Sequence, residues 1–298
     1  MELVVSDNTN AELWKKFYIS KKVENLSPKT LIVYKQNLEM FSKLIKKSFL
    51  QVNSDDIRIF LAYLMHKNPN VSESYLDNSR RYLSTFFKFL VDEEIIRKNP
   101  VTKIKKIKGN TVVKEPFSDL EIEKIRNACC NPLEKVVVEL LFSTAARKSE
   151  LCSIKISDIN FEKNEIKIIG KGNKLRYIYL NAKSLVALSE YFEFRKKYGY
   201  DSEYLLIKHH TRSRVELSGE PHDEDSMYSL IAGIGKNAKV SNANPHRFRR
   251  TAATNWVRKG MSIEKVSELL GHSSLETTMI YVKINRDEVR LEHHRLTD

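Results

Sequence analysis

Residues 270–281 read LGHSSLETTMIY, and this stretch decides how the rest of the chain is interpreted. His272 and Tyr281 lie nine residues apart in it, with the pair Thr277 and Thr278 between them. A histidine can exchange protons near neutral pH, and a deprotonated tyrosine is a nucleophile. One tyrosine among the 13 in the chain has little claim to catalysis by itself. The interpretation therefore depends on the segments that accompany this stretch.

Three earlier segments also contain reactive residue types: TAARKSE at residues 144–150, GKGNK at residues 170–174 and PHRFRRTAAT at residues 245–254. Each has an ordinary structural explanation. Arg147 can form an ion pair with Glu150 at a helix start, and Lys171 can occupy a hairpin turn. His246 and His272 can be structural histidines. The order and spacing of all four segments carry more information than any one of them.

Together the four segments resemble the tyrosine recombinase (phage integrase) family, whose pattern is Arg, Lys, His-x-x-Arg, His or Trp, then Tyr. The resemblance covers residues 118–285. By domain count, small two-domain Xer-type recombinases are the nearest members. The resemblance implies a site-specific DNA recombinase that breaks and rejoins strands through a 3′-phosphotyrosyl intermediate. The catalytic set that it implies is Arg147, Lys171, His246, Arg249, His272 and Tyr281.

The residue types in this set suit a phosphodiester under attack. Its non-bridging oxygens gain negative charge, which the forked donors of Arg147 and Arg249 can stabilise. His246 and Arg249 have the i, i+3 spacing of one helical face. A free phenol has a pKa near ~10, so we expect His246 to help deprotonate Tyr281.

Two further roles follow from the resemblance. It implies that Lys171 protonates the departing oxygen and that His272 donates a hydrogen bond to the phosphate. Because cationic side chains supply the positive charge, we expect no metal and no other cofactor. Two positions depart from the family pattern: Ala145 stands where Gly is common before the first Arg, and Arg250 where His often follows the second.

The region before these segments has the periodicity of amphipathic helices. Ser27-Pro28 opens one with an N-cap and a first-turn proline, and residues 72–92 form another. In the second helix Asp77, Arg81, Ser84 and Lys88 fall opposite the apolar stripe. We expect a domain of four or five helices whose polar faces contact DNA phosphates. The predicted DNA-binding residues are Lys29, Lys43, Arg81, Lys88 and Lys105.

Residues 97–108, RKNPVTKIKKIK, contain six basic residues and a proline. This composition predicts an extended cationic connector. It divides the chain into a helical core-binding domain, residues 1–108, and a catalytic domain, residues 109–298. Two such domains would clamp duplex DNA.

The second domain mixes helices with a few strands. Ser118 and Glu121 have the spacing of a capping box, and residues 165–180 alternate around GKGNK as in a β-hairpin. Helical patterns occupy residues 132–146, 182–198, 225–239, 246–259 and 262–270. The predicted fold class is mainly α with a small β-sheet, with a mixed α/β catalytic domain of the tyrosine recombinase type.

The composition favours a polyanionic partner, for which we predict double-stranded DNA. The chain has 51 Lys and Arg against 38 Asp and Glu, a formal charge of +13 and a pI near 9.4. No run of 18 apolar residues and no secretory signal is present, so we expect a cytoplasmic protein without membrane contact. Cys129, Cys130 and Cys152 lack the spacing of metal ligands and are expected to be reduced.

The family resemblance also implies assembly. We expect a homotetramer, or a pairing with a related recombinase, acting on two DNA sites. The tail, residues 282–298, contains Val289, Leu291 and Leu296 in an amphipathic pattern and is expected to dock on a neighbouring subunit. Chromosome dimer resolution, integration and excision of a mobile element, and DNA inversion are all compatible with this chemistry.

One alternative has a different functional class. Residues 250–281 also fit a helix-turn-helix, which would make the chain a transcription regulator without strand-cleaving activity. Arg147 and Lys171 argue against this alternative, because a binding module has no use for them about a hundred residues upstream.

Overall fold

The described part of the chain divides into two compact units. A computed structural model describes residues 8–109, 115–170, 174–208, 220–272 and 274–279. The units are Met1–Val112 and Val113–Asp298, and each has its own buried core. Helices dominate and a single three-stranded sheet accompanies them in these ranges, which confirms the predicted fold class.

Four α-helices form the described part of the N-terminal unit, and three of them begin after a side chain that caps the helix. They are α1 (Asn8–Val23), α2 (Pro28–Ile45), α3 (Ser54–Lys67) and α4 (Glu73–Asp92). The Ser27 side chain accepts a hydrogen bond from the Thr30 N–H, and Pro28 follows at the first helical position, as predicted. Asn53 caps α3 in a reciprocal capping box with Asp56.

Aromatic side chains fill the core of this unit. Phe86 lies near its centre, and its ring centroid is 5.3 Å from that of Phe17 and 5.0 Å from that of Phe49, in edge-to-face geometry. Edge-to-face pairs place the positive rim of one ring against the negative face of the next. The helices therefore pack around one apolar core, and their polar side chains occupy the outer faces.

The connector at residues 97–108 is not extended throughout. Its first half forms turns in which Thr102 donates to the Asn99 carbonyl and Ile104 to the Val101 carbonyl. Val101 is buried in the N-terminal core. The segment contains a proline and four β-branched residues among its basic residues, and these favour turns and burial. The prediction of an extended connector considered the charge alone and was therefore only partly right.

Asp77 corrects the prediction for α4, because it is buried rather than part of the outer polar face. Its carboxylate accepts a hydrogen bond from Arg80 at 2.8 Å and another from the Ile107 N–H at 3.1 Å. The Arg80 guanidinium holds the pKa of Asp77 below its ordinary value. This carboxylate thus fixes the second half of the connector to α4.

The C-terminal unit contains the remaining described elements: α5 (Asp119–Asn127), α6 (Pro132–Thr144), α7 (Lys148–Ser153), β1 (Ile159–Asn160), β2 (Glu165–Ile169), β3 (Leu175–Tyr179), α8 (Ala182–Lys197), α9 (Glu224–Asn237), α10 (Pro245–Arg258), α11 (Ile263–Leu270) and α12 (Leu275–Met279). The capping box of Ser118 and Glu121 is confirmed. The five helical patterns in this unit are confirmed to within about two residues at each end.

The sheet is antiparallel with the order β1-β2-β3. Ile166 pairs with Ile178 and Ile168 with Arg176, and these inner positions alternate with exposed ones. Because side chains alternate between the two faces of a strand, Arg176 shares the inner face with Ile178. The predicted hairpin strands are confirmed, while Lys171 and the rest of the hairpin tip lie outside the described residues.

Helix α6 runs through the core of this unit and leads directly to the site. Val136, Val137, Leu140 and Leu141 are fully buried along it. At its end, Ala145 joins a small apolar cluster with residues of α10 and α11, namely Ala252, Ala253, Val266 and Leu270. This cluster brings the end of α6 against the other two helices.

Across the ranges that the structure describes, no helix combines the length and apolarity needed to cross a membrane.

Candidate active site

Three of the predicted catalytic residues meet at one turn of the chain, Leu270–His272, which we call the 270–272 turn. Arg147 donates to the Gly271 carbonyl at 2.9 Å, and Arg249 donates to the Leu270 carbonyl. His272 is the next residue. Two guanidinium groups that are 102 positions apart in the sequence therefore converge on consecutive peptide groups.

Arg249 is buried, with 3% of its surface exposed. It extends from α10. Its Nη1 donates a hydrogen bond to the Ala145 carbonyl at 2.7 Å, and its Nη2 donates one to the Leu270 carbonyl. These two acceptors lie in different elements, so the forked guanidinium fixes the end of α6 relative to the end of α11. A lysine has a single nitrogen and cannot reproduce this fork.

Ala145 occupies a left-handed backbone conformation, with φ 50° and ψ 27°, at the end of α6. Glycine adopts this conformation most readily, which is a physical reason for glycine at the position in the family pattern. The methyl group of Ala145 is buried in the apolar cluster beside Ala252 and Ala253. The departure from the pattern leaves the hydrogen bond from Arg249 in place.

Arg147 stands at the start of α7 and its side chain is 27% exposed. Its guanidinium donates to Glu150 Oε1 at 2.8 Å, and its backbone N–H donates to Glu150 Oε2 at 2.7 Å. The ion pair between Arg147 and Glu150, which the sequence offered as a purely structural explanation of this arginine, is therefore present. It coexists with the contact to Gly271, and the guanidinium remains partly exposed to solvent.

Arg176 is the member of the site that sequence reasoning missed. It donates to Glu150 Oε2 at 2.9 Å and to the Leu270 carbonyl at 3.3 Å. Glu150, only 4% exposed, thus bridges Arg147 and Arg176. The sequence held one signal: the alternation of β3 places this charged residue on the inner face of the strand. A buried cation implies a buried partner.

His272 is held by a buried hydroxyl group. Its Nδ1 and the Thr278 Oγ1 are 2.9 Å apart, and Thr278 is fully buried. Burial, together with the nearby positive charges of Arg249, Arg147 and Arg176, lowers the pKa of His272 to about 4. The imidazole is therefore neutral near pH 7 and suits hydrogen bonding rather than charge pairing.

The lowered pKa of His272 predicts a pH effect on stability. In the unfolded chain a histidine titrates near ~6.5, so between about pH 6.5 and 4 the unfolded state binds the extra proton. Stability should fall as the pH drops through this window, and His272→Gln should lose less. Urea unfolding of both proteins at pH 7 and pH 5 measures this difference. Equal losses for the two proteins would contradict the assignment.

His246 lies in the first turn of α10 and is exposed. It precedes Arg249 by three residues on the same helix, which confirms the predicted helical spacing. Lys171 and Tyr281 lie outside the described residues. The last described helix, α12, ends at Met279, two residues before Tyr281.

The five predicted DNA-binding residues are all exposed, as phosphate contacts require. They are Lys29, Lys43, Arg81, Lys88 and Lys105. Arg81 and Lys88 are seven residues apart on α4, which places them on one face of that helix.

Helices α10 and α11 have the lengths and the short connection of the helix-turn-helix alternative. However, the last carbonyl group of α11 accepts hydrogen bonds from Arg176 and Arg249. A recognition helix must present its outer surface to a DNA groove. Here the end of the second helix is instead built into the arginine site.

Two family models match the chain, and together they cover most of it. The model described as phage integrase family matches residues 101–288. The model described as phage integrase, N-terminal SAM-like domain, matches residues 13–97.

Curated relatives match over nearly their whole length. A protein named tyrosine recombinase XerC from Leptospira interrogans serogroup Icterohaemorrhagiae serovar copenhageni is 29% identical over 290 residues, covering 94% of this chain and 91% of the relative. A protein of the same name from Listeria innocua serovar 6a is 28% identical over 288 residues, covering 91% and 93%.

Solved structures share the fold at lower identity. The XerH site-specific recombinase bound to a palindromic difH substrate, in a post-cleavage complex, aligns with a TM-score of 0.72 and 21% identity, covering 98% of this chain and 89% of the other. The Tn1549 transposon integrase in complex with a circular intermediate DNA aligns with a TM-score of 0.72 and 20% identity, covering 96% and 98%.

Proposed function

Because this chain belongs to the phage integrase family, we propose that it is a tyrosine-type site-specific recombinase that cuts and rejoins DNA through Tyr281. The observation that carries the proposal is the convergence of Arg147 and Arg249 on the 270–272 turn. Phosphodiester cleavage needs fixed positive charge at one point, and the two guanidinium groups held at this turn supply it beside His272.

In the proposed reaction, the phenol oxygen of Tyr281 attacks the scissile phosphorus and the bond from phosphorus to the 5′ oxygen breaks. His246 accepts the phenol proton, and Lys171 donates a proton to the leaving 5′ oxygen. Arg147 and Arg249 stabilise the charge on the non-bridging oxygens. A neutral His272 donates one hydrogen bond to the same phosphate.

The reaction is reversible without an energy source. The phosphodiester becomes a phosphotyrosyl ester of similar energy, so the 5′ hydroxyl of another strand can attack it and release Tyr281. The number of phosphoester bonds is unchanged after each exchange. This balance suits rejoining of strands rather than simple cleavage.

A trapping experiment tests the function. Duplexes from the region around the coding locus are prepared with a nick next to each candidate cleavage site, so that the short 5′-hydroxyl fragment diffuses away after cleavage. We expect a protein–DNA band that survives denaturing electrophoresis and disappears after proteolysis. A transcription regulator that binds these duplexes would leave no such band.

Duplex DNA is the proposed partner, supported by the exposed cations of the N-terminal unit and by the DNA-bound XerH and Tn1549 integrase structures with the same fold. If all five predicted contacts neutralise phosphates, the logarithm of the binding constant should fall with the logarithm of salt concentration with a slope of about −4.5. Replacing Lys43 by Gln should make the slope about 0.9 shallower.

Filter-binding assays at salt concentrations from about 50 to about 300 mM measure this slope. Lys124→Gln is the matched control, because Lys124 is an exposed lysine of α5 outside the proposed contact set. A slope that is flat, or the same change for both variants, would count against the assigned phosphate contacts.

We further propose a homotetramer, or a pairing with a related recombinase, on two DNA sites. The tail at residues 282–298 would dock on a neighbouring subunit through Val289, Leu291 and Leu296. Deleting residues 286–298 should abolish synapsis in native gels while binding to a single site persists. Intact synapsis would refute this role for the tail.

The boundary between a core-binding domain at residues 1–108 and a catalytic domain at residues 109–298 belongs to the same proposal. A location in the cytoplasm is also part of it. Recombination assays with sites near the coding locus can distinguish dimer resolution, integration and excision, and inversion.

A further inference from the structure

We propose that Arg176 is a positioning residue for strand cleavage, acting through Glu150 and the Leu270 carbonyl. The inference rests on the proposed recombinase function. It adds a residue outside the predicted catalytic set, one that adjusts how Arg147 and His272 meet the phosphate without contacting DNA itself.

The first argument is the network that Arg176 completes. Its Nη2 is 2.9 Å from Glu150 Oε2 and its Nη1 is 3.3 Å from the Leu270 oxygen. The side chain is 12% exposed. Arg176 therefore ties the carboxylate that holds Arg147 to the turn that carries His272.

The second argument is the close approach of Gly271. A Cβ built on Gly271 would lie 2.8 Å from Arg176 Nη1, and the backbone of Gly271 is left-handed, with φ +61°. The left-handed conformation favours glycine here, and a Cβ would require the Arg176 side chain to shift. The guanidinium packs directly against the 270–272 turn, so its position and that of His272 are coupled.

The third argument concerns charge. Glu150 is one carboxylate shared by two guanidiniums, and Arg147 also donates to it through its backbone N–H. Without Arg176, the whole charge of Glu150 would act on Arg147 and draw its guanidinium away from a bound phosphate. Arg176 offsets this attraction and leaves Arg147 available.

The fourth argument is an unsatisfied donor. Among the atoms that the structure describes, the buried Nε of Arg176 has no hydrogen-bond partner. Buried donors are normally satisfied, and exceptions concentrate at functional sites. Burial also lowers the pKa of Arg176, while Glu150 raises it. An arginine kept here against these penalties fits a functional role better than a purely structural one.

The test is the rate of a single round of cleavage on the trapping substrate, measured for wild type, Arg176→Gln and Arg176→Lys at saturating DNA. A misplaced reacting group slows an enzyme about 10- to 100-fold. We expect Arg176→Gln to show such a loss with DNA affinity unchanged. Arg176→Lys should recover part of the rate, because its charge still reaches Glu150.

A structural control separates positioning from folding. Arg195 is a buried arginine whose guanidinium donates to the carbonyls of Ser202, Tyr204 and Leu205. Arg195→Gln should lower the unfolding temperature but leave the cleavage rate of the folded fraction unchanged. If Arg176→Gln behaves in the same way, the proposal is overturned.

A double-mutant comparison completes the test. If Arg176 acts through Arg147, the loss from Arg176→Gln should shrink at least about threefold in an Arg147→Lys background. Full additivity would instead indicate an independent role and overturn the proposal. Absence of any adduct with wild type would refute the recombinase function itself, which distinguishes the two failures.

Discussion

Arg249→Lys is expected to slow DNA cleavage by about 10²- to 10³-fold, the usual effect of removing a fixed donor from a transition state. The wild-type guanidinium donates hydrogen bonds to the Ala145 and Leu270 carbonyls at the same time. These two bonds fix its orientation, and therefore the direction of its remaining N–H donors. Lysine keeps the charge but loses the fork, so the charge is no longer fixed.

The measurement is again single-turnover cleavage of a trapping substrate, together with the fraction of folded protein. Arg258→Lys is a matched control, since Arg258 is an exposed arginine on the same helix. We expect the control to cleave at the wild-type rate. If Arg249→Lys and the control had equal rates, the fork of Arg249 would have no part in catalysis.

Tyr281→Phe should have the largest effect of all. Phenylalanine has the same ring but no oxygen to bond to phosphorus, so the covalent intermediate cannot form. Loss of a nucleophile lowers turnover by about 10⁴-fold or more. Non-covalent DNA binding should remain, because the cations that contact phosphates are unchanged.

Denaturing electrophoresis and peptide mapping of the trapped adduct measure this prediction. Tyr177→Phe is the control, because Tyr177 is an exposed tyrosine of β3. The control should form the adduct at the wild-type level. An adduct of undiminished yield in Tyr281→Phe would show that a different side chain is the nucleophile.

Local signals were sufficient to predict much of the fold. Ser27 before Pro28, and Ser118 three residues before Glu121, identify helix starts because capping involves only neighbouring residues. The strands of the hairpin follow from alternation around GKGNK. The meeting of Arg147, Arg249 and His272 was expected from the family pattern rather than from local chemistry.

Contacts between distant residues set the limit of this prediction. The hydrogen bond from Arg147 to Gly271 joins positions 124 apart, and periodicity carries no information about such a pair. The role of Arg176 depends on Glu150 and Leu270, which only the folded chain brings to it. Asp77 was misplaced for the same reason, since its partner Ile107 lies 30 residues away.

The central claim is that Arg147 and Arg249 act on the charge of one scissile phosphate. A methylphosphonate at that position replaces a charged non-bridging oxygen by a methyl group, so less positive charge is needed there. The most direct measurement compares wild type with Arg147→Ala on substrates that carry either the phosphate or the methylphosphonate.

Cleavage rates from the four combinations give the answer. On phosphate we expect Arg147→Ala to be about 10²-fold or more slower than wild type. On methylphosphonate the deficit should shrink by at least about tenfold, because the charge that Arg147 stabilises is gone. An equal deficit on both substrates would contradict the account, since Arg147 would then act on something other than the phosphate charge.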